Sequence, residues 1–168
     1  MPRFIKNGCL FFLIGLFQIY FEGGSFFIRP IIDFLLIFLI FSFFDFPFFY
    51  FVLLLLVRGF IFDTLSGLAW GTNLFSLFFS FGIGFFLTRL LESDNFFSRI
   101  IIGESIINLY FLALFLLNLF LSHSNLWLII LINALINSVV YLVLMMLGRK
   151  IRTCLPSVGR TFFLASPR

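Results

Sequence analysis

The run FLLIFLIFSFFDFPFFYFVLLLLVRGFIF, residues 34–62, decides the fold. As a single helix it would cross a bilayer once with residues to spare, since about 20 apolar residues suffice. Asp45-Phe46-Pro47 stands at its middle, however, where a charge is followed by a residue that lacks a backbone N–H and clashes with the preceding helical turn. The stretch therefore reads as two short spans joined by an elbow.

Outward from this elbow, the apolar pattern also stops at Glu22 to Pro30, Asp63 to Gly67, Arg89 to Arg99 and Ser122 to Asn125. Five interruptions give six spans, near Gly8 to Phe21, Pro30 to Phe44, Phe46 to Phe62, Leu68 to Thr88, Ile100 to Leu121 and Leu126 to Gly148. The last three are long enough to cross a hydrocarbon layer, and the first three are short. A span of about 15 residues rises only about 22 Å, so it needs local thinning, interfacial anchors or burial against longer neighbours.

Charge placement supports the even number. With six spans and the N-terminus inside, Arg3, Lys6, Arg89, Arg99, Arg149, Lys150, Arg152, Arg160 and Arg168 are cytoplasmic, nine of eleven basic residues, as the positive-inside rule asks. Arg29 lies outside and Arg58 within a span. Five spans would put one basic end on the wrong side. The first span has the Arg3/Lys6 start of a signal peptide, but no A-x-A site follows it and cleavage is not expected. Residues 1–148 thus read as a six-helix transmembrane domain and 149–168 as a basic cytoplasmic tail, which serves as an orientation signal or contacts anionic lipid or a partner.

Composition agrees. Of 168 residues, 62% are hydrophobic and 11% charged, and the mean hydropathy is +1.21, far from the balance of soluble domains. The 31 phenylalanines are read as drift from leucine codons at lipid-facing positions, not as a cofactor box. The net charge of +4 lies at chain ends and in one loop, which argues topology and no nucleic-acid surface. Cys9 and Cys154 both fall on the cytoplasmic side, so no disulfide is expected. The sole histidine, His123, has no second ligand nearby, so no metal site is expected. No nucleophile-base arrangement, HExxH, P-loop or GxGxxG occurs, and no cofactor is expected.

The informative cluster is RGFIFDTLSGLAWG, Arg58 to Gly71. An ionisable group at membrane depth costs about 2.5–3.5 kcal/mol on insertion scales and usually has a partner. Asp63 is five residues from Arg58, a poor register on one helix. Asp33 on the neighbouring span falls at matching depth. A structural ion pair of Arg58 with Asp33 or Asp63 is the first reading, and a direct ligand or partner contact the second. Along span four, Thr72, Ser76, Ser80, Gly84 and Thr88 form a ridge of small residues suited to helix packing. Asn133, Asn137 and Tyr141 in span six, and Glu104 and Asn108 in span five, give those helices polar faces, and all three faces, the span-four ridge included, are expected to look inward.

The Arg29-Pro30 opening of span two, then Gly59-x-x-x-Asp63-x-x-Ser66-Gly67-x-x-x-Gly71, then an Asn/Tyr final helix with a basic tail, resemble the MreD family of rod-shape-determining membrane proteins. The resemblance covers most of the chain in length and span pattern. It implies an all-α integral membrane protein whose six helices are arranged like the substrate-binding components of energy-coupling-factor transporters. It also implies a non-enzymatic scaffold of the bacterial cytoplasmic (inner) membrane. Such a scaffold would associate with an MreC-like protein and support the RodA-type glycosyltransferase, its penicillin-binding transpeptidase and MreB in peptidoglycan synthesis. Gly59, Asp63, Gly67 and Gly71 carry the motif, and with Arg58, Asp33, Asn133 and Asn137 they are the expected partner-binding or structural-core residues.

A lipid-exposed small-residue ridge or polar groove would accept the partner's helix in that reading. The runner-up is a substrate-binding transporter component, with Trp70, Asn73 and Asp63 lining an outer pocket; fold alone cannot choose between them. A lipid-active enzyme would need converging acids, and Asp33, Asp63 and Glu104 are not expected to converge.

Overall fold

The computed structural model describes residues 11–16, 32–65, 70–91, 95–121 and 127–154. The expectations resting on Arg29-Pro30, Cys9, Gly67, His123 and the chain beyond Cys154 lie outside those residues. Among the described residues the only regular structure is helix: α1 (residues 11–16), α2 (Phe34–Asp45), α3 (Phe48–Leu65), α4 (Thr72–Leu90), α5 (Phe96–Leu121) and α6 (Trp127–Cys154). Three stretches, Thr72–Leu90, Phe96–Phe120 and Trp127–Lys150, are long and apolar enough to cross a membrane. Large apolar side chains such as Phe48, Phe49, Phe86 and Phe120 cover the outside of the bundle.

The elbow forms where the sequence puts it. Phe46 is extended (φ −104°, ψ 150°) and its N–H donates to the Ser42 carbonyl at 2.9 Å, the conformation imposed on a residue before proline. Arg99 braces it from α5, pairing with Asp45 at 3.5 Å while its guanidinium lies 5.3 Å from the Phe44 ring. Phe43, Phe51 and Phe81, with centroids 5.0–5.6 Å apart, fasten α2, α3 and α4 beside it.

Helix ends depart from the expected spans for local reasons. α2 starts at Phe34 instead of Pro30, because Asp33 is its N-cap and accepts from the Leu36 N–H at 2.8 Å; a carboxylate there satisfies a backbone donor that the helix itself cannot. Asp33 therefore sits at the mouth of its helix, not inside it. α3 continues to Leu65, which places Asp63 in a helical turn and not in an interruption. α4 starts at Thr72 instead of Leu68, after Gly71 in the left-handed region (φ +88°), a conformation that costs glycine little. α6 runs on past Gly148 to Cys154.

The two short helices solve their length differently. In α2, Leu35, Leu36, Ile37, Leu39 and Ile40 are all buried, as expected of a helix enclosed on most sides; the stripe Phe34, Phe38 and Phe41 is less covered, and Phe11 of α1 packs against Phe38. With 12 residues, or about 18 Å of rise, α2 need not reach both faces. α3 lies at the periphery, burying the stripe Phe51, Leu55, Arg58, Phe62 and exposing Phe49, Leu53, Val57 and Phe60. Burial of the early helices thus holds for α2 and not for α3.

Candidate functional site

A chain of buried polar contacts crosses the interior and touches α2 through α6. Its centre is Arg58, fully buried on α3. One of its terminal nitrogens forms an ion pair with an Asp33 carboxylate oxygen and donates to the Tyr110 hydroxyl of α5 at 3.3 Å. Tyr110 donates in turn to Asn73 Oδ1 on α4 at 3.0 Å. On the other side, the Asp33 backbone N–H donates to Asn137 Oδ1 on α6 at 2.7 Å, and Asn137 Nδ2 donates to the Asn133 carbonyl at 2.8 Å. The Phe62 and Tyr110 rings flank the guanidinium, with centroids 4.5 and 5.0 Å from Cζ, where a ring face attracts a desolvated cation.

Asp63 takes a different role from Asp33. Its carboxylate accepts from the backbone N–H groups of Gly71 at 3.1 Å, Asn73 at 2.8 Å and Leu74 at 3.4 Å. It caps α4 from the preceding helix, satisfying donors that the first turn leaves open and opposing the positive end of the helix dipole. Arg58 therefore pairs with Asp33, and Asp63 holds a helix terminus. The two acids are linked through Tyr110 and Asn73 without sharing a site.

Several further expectations resolve in this geometry. Gly59 is where α3 and α4 touch: a Cβ there would lie 3.2 Å from the Leu74 Cα and would run into its Cδ1. Gly71 supplies the left-handed N-cap. Asn133 and Asn137 are buried. Tyr110 was not anticipated; its signal is a lone hydroxyl in the apolar run from Leu109 to Leu117.

The small ridge of α4 faces inward and packs helices, as its small side chains suggest, and so is not available as the lipid-exposed docking surface of the scaffold reading. Thr72, Ser76, Ser80 and Gly84 are all buried, the Ser76 and Ser80 hydroxyls donate to carbonyls of their own helix, and Gly84 receives Ile106 of α5. On α6, the Tyr141 ring lies against Gly103 of α5 and its hydroxyl donates to the Arg99 carbonyl at 2.9 Å.

The α5 polar face does not look inward as expected. Asn108 is exposed and Glu104 and Ser105 are half-buried; together they line a groove of about 560 Å³ with Leu87, Leu109 and Leu112. The expected outer pocket of Trp70, Asn73 and Asp63 is not assembled either. Trp70 is 73% exposed against Phe60, whereas Asn73 is wholly buried. Among the described residues, no group of three or more metal-ligating side chains forms.

No family model, no curated protein and no solved structure matches this chain.

Proposed function

We propose that the chain is a non-enzymatic scaffold subunit of the bacterial cytoplasmic (inner) membrane, crossing it six times with both ends in the cytoplasm. In this reading it belongs to the cell-elongation machinery, holds an MreC-like partner and supports peptidoglycan synthesis. The observation that carries the scaffold reading is the employment of the interior acids: Asp33 is bound to Arg58 and Asp63 to three backbone N–H groups. Charged groups spent on joining helices build a rigid body, and a rigid body suits a part whose work is to be held by others. Gly59 and Gly71, which carry the MreD-like motif, have the same structural character.

A second reading, a substrate-binding component of a vitamin-type transporter, is favoured by one detail. Arg58 Nε and Nη1 are buried with no hydrogen-bond partner among the described residues, a set of unmet cationic donors that suits an anionic ligand.

Purification of the tagged chain in mild detergent from cells that also express an MreC-like protein separates the two. Retention of that protein in stoichiometric amount is the expected result. A co-purifying small molecule, with the MreC-like protein absent, would replace the scaffold reading by the transporter one.

A further inference from the structure

The outer face of α5 carries a pattern that the interior does not explain. Ile101, Ser105, Asn108, Leu112, Phe115 and Leu119 follow one another at spacings of four, three, four, three and four. Ile101, Leu112 and Leu119 are each half exposed, at 52%, 51% and 53%. Alternating fours and threes are the spacing with which one helix seats in another, and a single polar residue within such a seam fixes the register of the pair. Asn108 takes that part, since Ser105 spends its hydroxyl on the Ile101 carbonyl. Its Nδ2 donates to the Glu104 carbonyl at 2.8 Å, an intrahelical bond that uses the amide donor and not the acceptor of this exposed side chain.

Glu104 flanks the seam and lines the same groove. Its Oε1 is shielded and has no hydrogen-bond partner among the described residues. Ser138 of α6 is the polar side chain beside it, and its hydroxyl offers only a weak, poorly aligned interaction that leaves both atoms short of a full hydrogen bond. Arg58 pairs with Asp33 and Arg99 with Asp45, so neither of these pairs serves Glu104. A carboxylate on an apolar surface is relieved by a cation brought to it.

We infer that this groove seats a single transmembrane helix of another protein, one that carries a lysine or arginine at the depth of Glu104. That depth is eight residues, about 12 Å of helix rise, from the Phe96 end of α5. A hydrogen-bonding side chain one turn further on would meet Asn108. The charge decides the occupant: a second copy of this chain would bring another Glu104 and no base along the seam. The inference rests on the scaffold reading and gives it a specific surface.

The test places a photoreactive benzophenone side chain at Ile101, on the seam, and separately at Phe79 of α4 and Leu135 of α6, in the whole chain in bacterial membranes. Irradiation should link the Ile101 position to a second polypeptide whose cross-linked helix contains a lysine or arginine. Glu104→Gln should lower that yield at least fivefold, and Glu104→Lys combined with reversal of the partner's base should restore it to within twofold. Leu112→Trp, which blocks the seam from the outside without touching the interior, should lower the yield as strongly. Cross-linking to a second copy, to a helix lacking a base, or with unchanged yield in both Glu104→Gln and Leu112→Trp overturns the inference. Cross-links only from Phe79 or Leu135 overturn the α5 site and leave the scaffold reading standing. No cross-link from any of the three faces overturns both.

Discussion

At the scale of the residue, Arg58 is held by a carboxylate, a phenol and two ring faces contributed from three helices. Removing one member of a buried pair strands the other, a loss of about 3–5 kcal/mol. Arg58→Ala and Asp33→Ala should each destabilise the protein by that order, and the double variant by clearly less than the sum of the two. Thermal unfolding of the four proteins in detergent measures the coupling; additive losses would remove the pair. Asp63→Ala leaves backbone donors of the first turn of α4 without an acceptor and should cost about 1–3 kcal/mol, whereas Asp63→Asn keeps one acceptor oxygen and should cost less. The same unfolding measurement ranks them, and equal losses would contradict the cap. The pair was legible because depth along antiparallel spans can be counted from sequence. The division of labour between Asp33 and Asp63 was not, since it depends on α3 continuing to Leu65 and turning the Asp63 carboxylate toward the start of α4.

At the scale of the element, glycines mark where helices meet and where they do not. A Cβ at Gly59 would collide with Leu74, whereas at Gly82 it would meet nothing within 4 Å. Gly59→Ala should therefore destabilise by about 1–3 kcal/mol, the cost of overpacking. Gly82→Ala on the surface of α4 should be neutral or stabilising by up to about 1 kcal/mol, because alanine favours the helix. Melting temperatures of the two variants decide the matter, and a more harmful Gly82→Ala would contradict the α3–α4 contact. The elbow was legible, because Pro47 acts on backbone geometry whatever surrounds it, whereas the start of α4 was placed four residues early, since Gly71 reads as a helix residue until its left-handed conformation is seen. The rotation of each helix about its axis was not legible. Where a helix is apolar on almost every side, no polar face reports the direction of the core. That is why Asn108 was assigned to the opposite side from the one it occupies, why the α4 ridge was read both as inward packing and as a docking surface, and why Tyr110 was missed among leucines.

At the scale of the whole molecule, the six-span reading requires both chain ends on one side and the loop after α3 on the other. A fluorescent protein fused after Arg168 should mature, and alkaline phosphatase inserted after Trp70 should be active. An inactive phosphatase there would reverse or break the proposed topology. The long helices α4, α5 and α6 were legible from length and composition alone, whereas the enclosure of α2 became visible only through what packs around it.

That enclosure has a consequence for biogenesis. α2 opens on a charged cap whose partners are Arg58, 25 residues downstream, and Asn137, 104 residues downstream. During synthesis the α2–α3 hairpin can pair its own charges early, but the Asp33 N–H waits until α6 has been made. The interior is therefore sealed last, from the far end of the sequence, and truncation before α6 should leave a chain that inserts but remains exposed to membrane proteases.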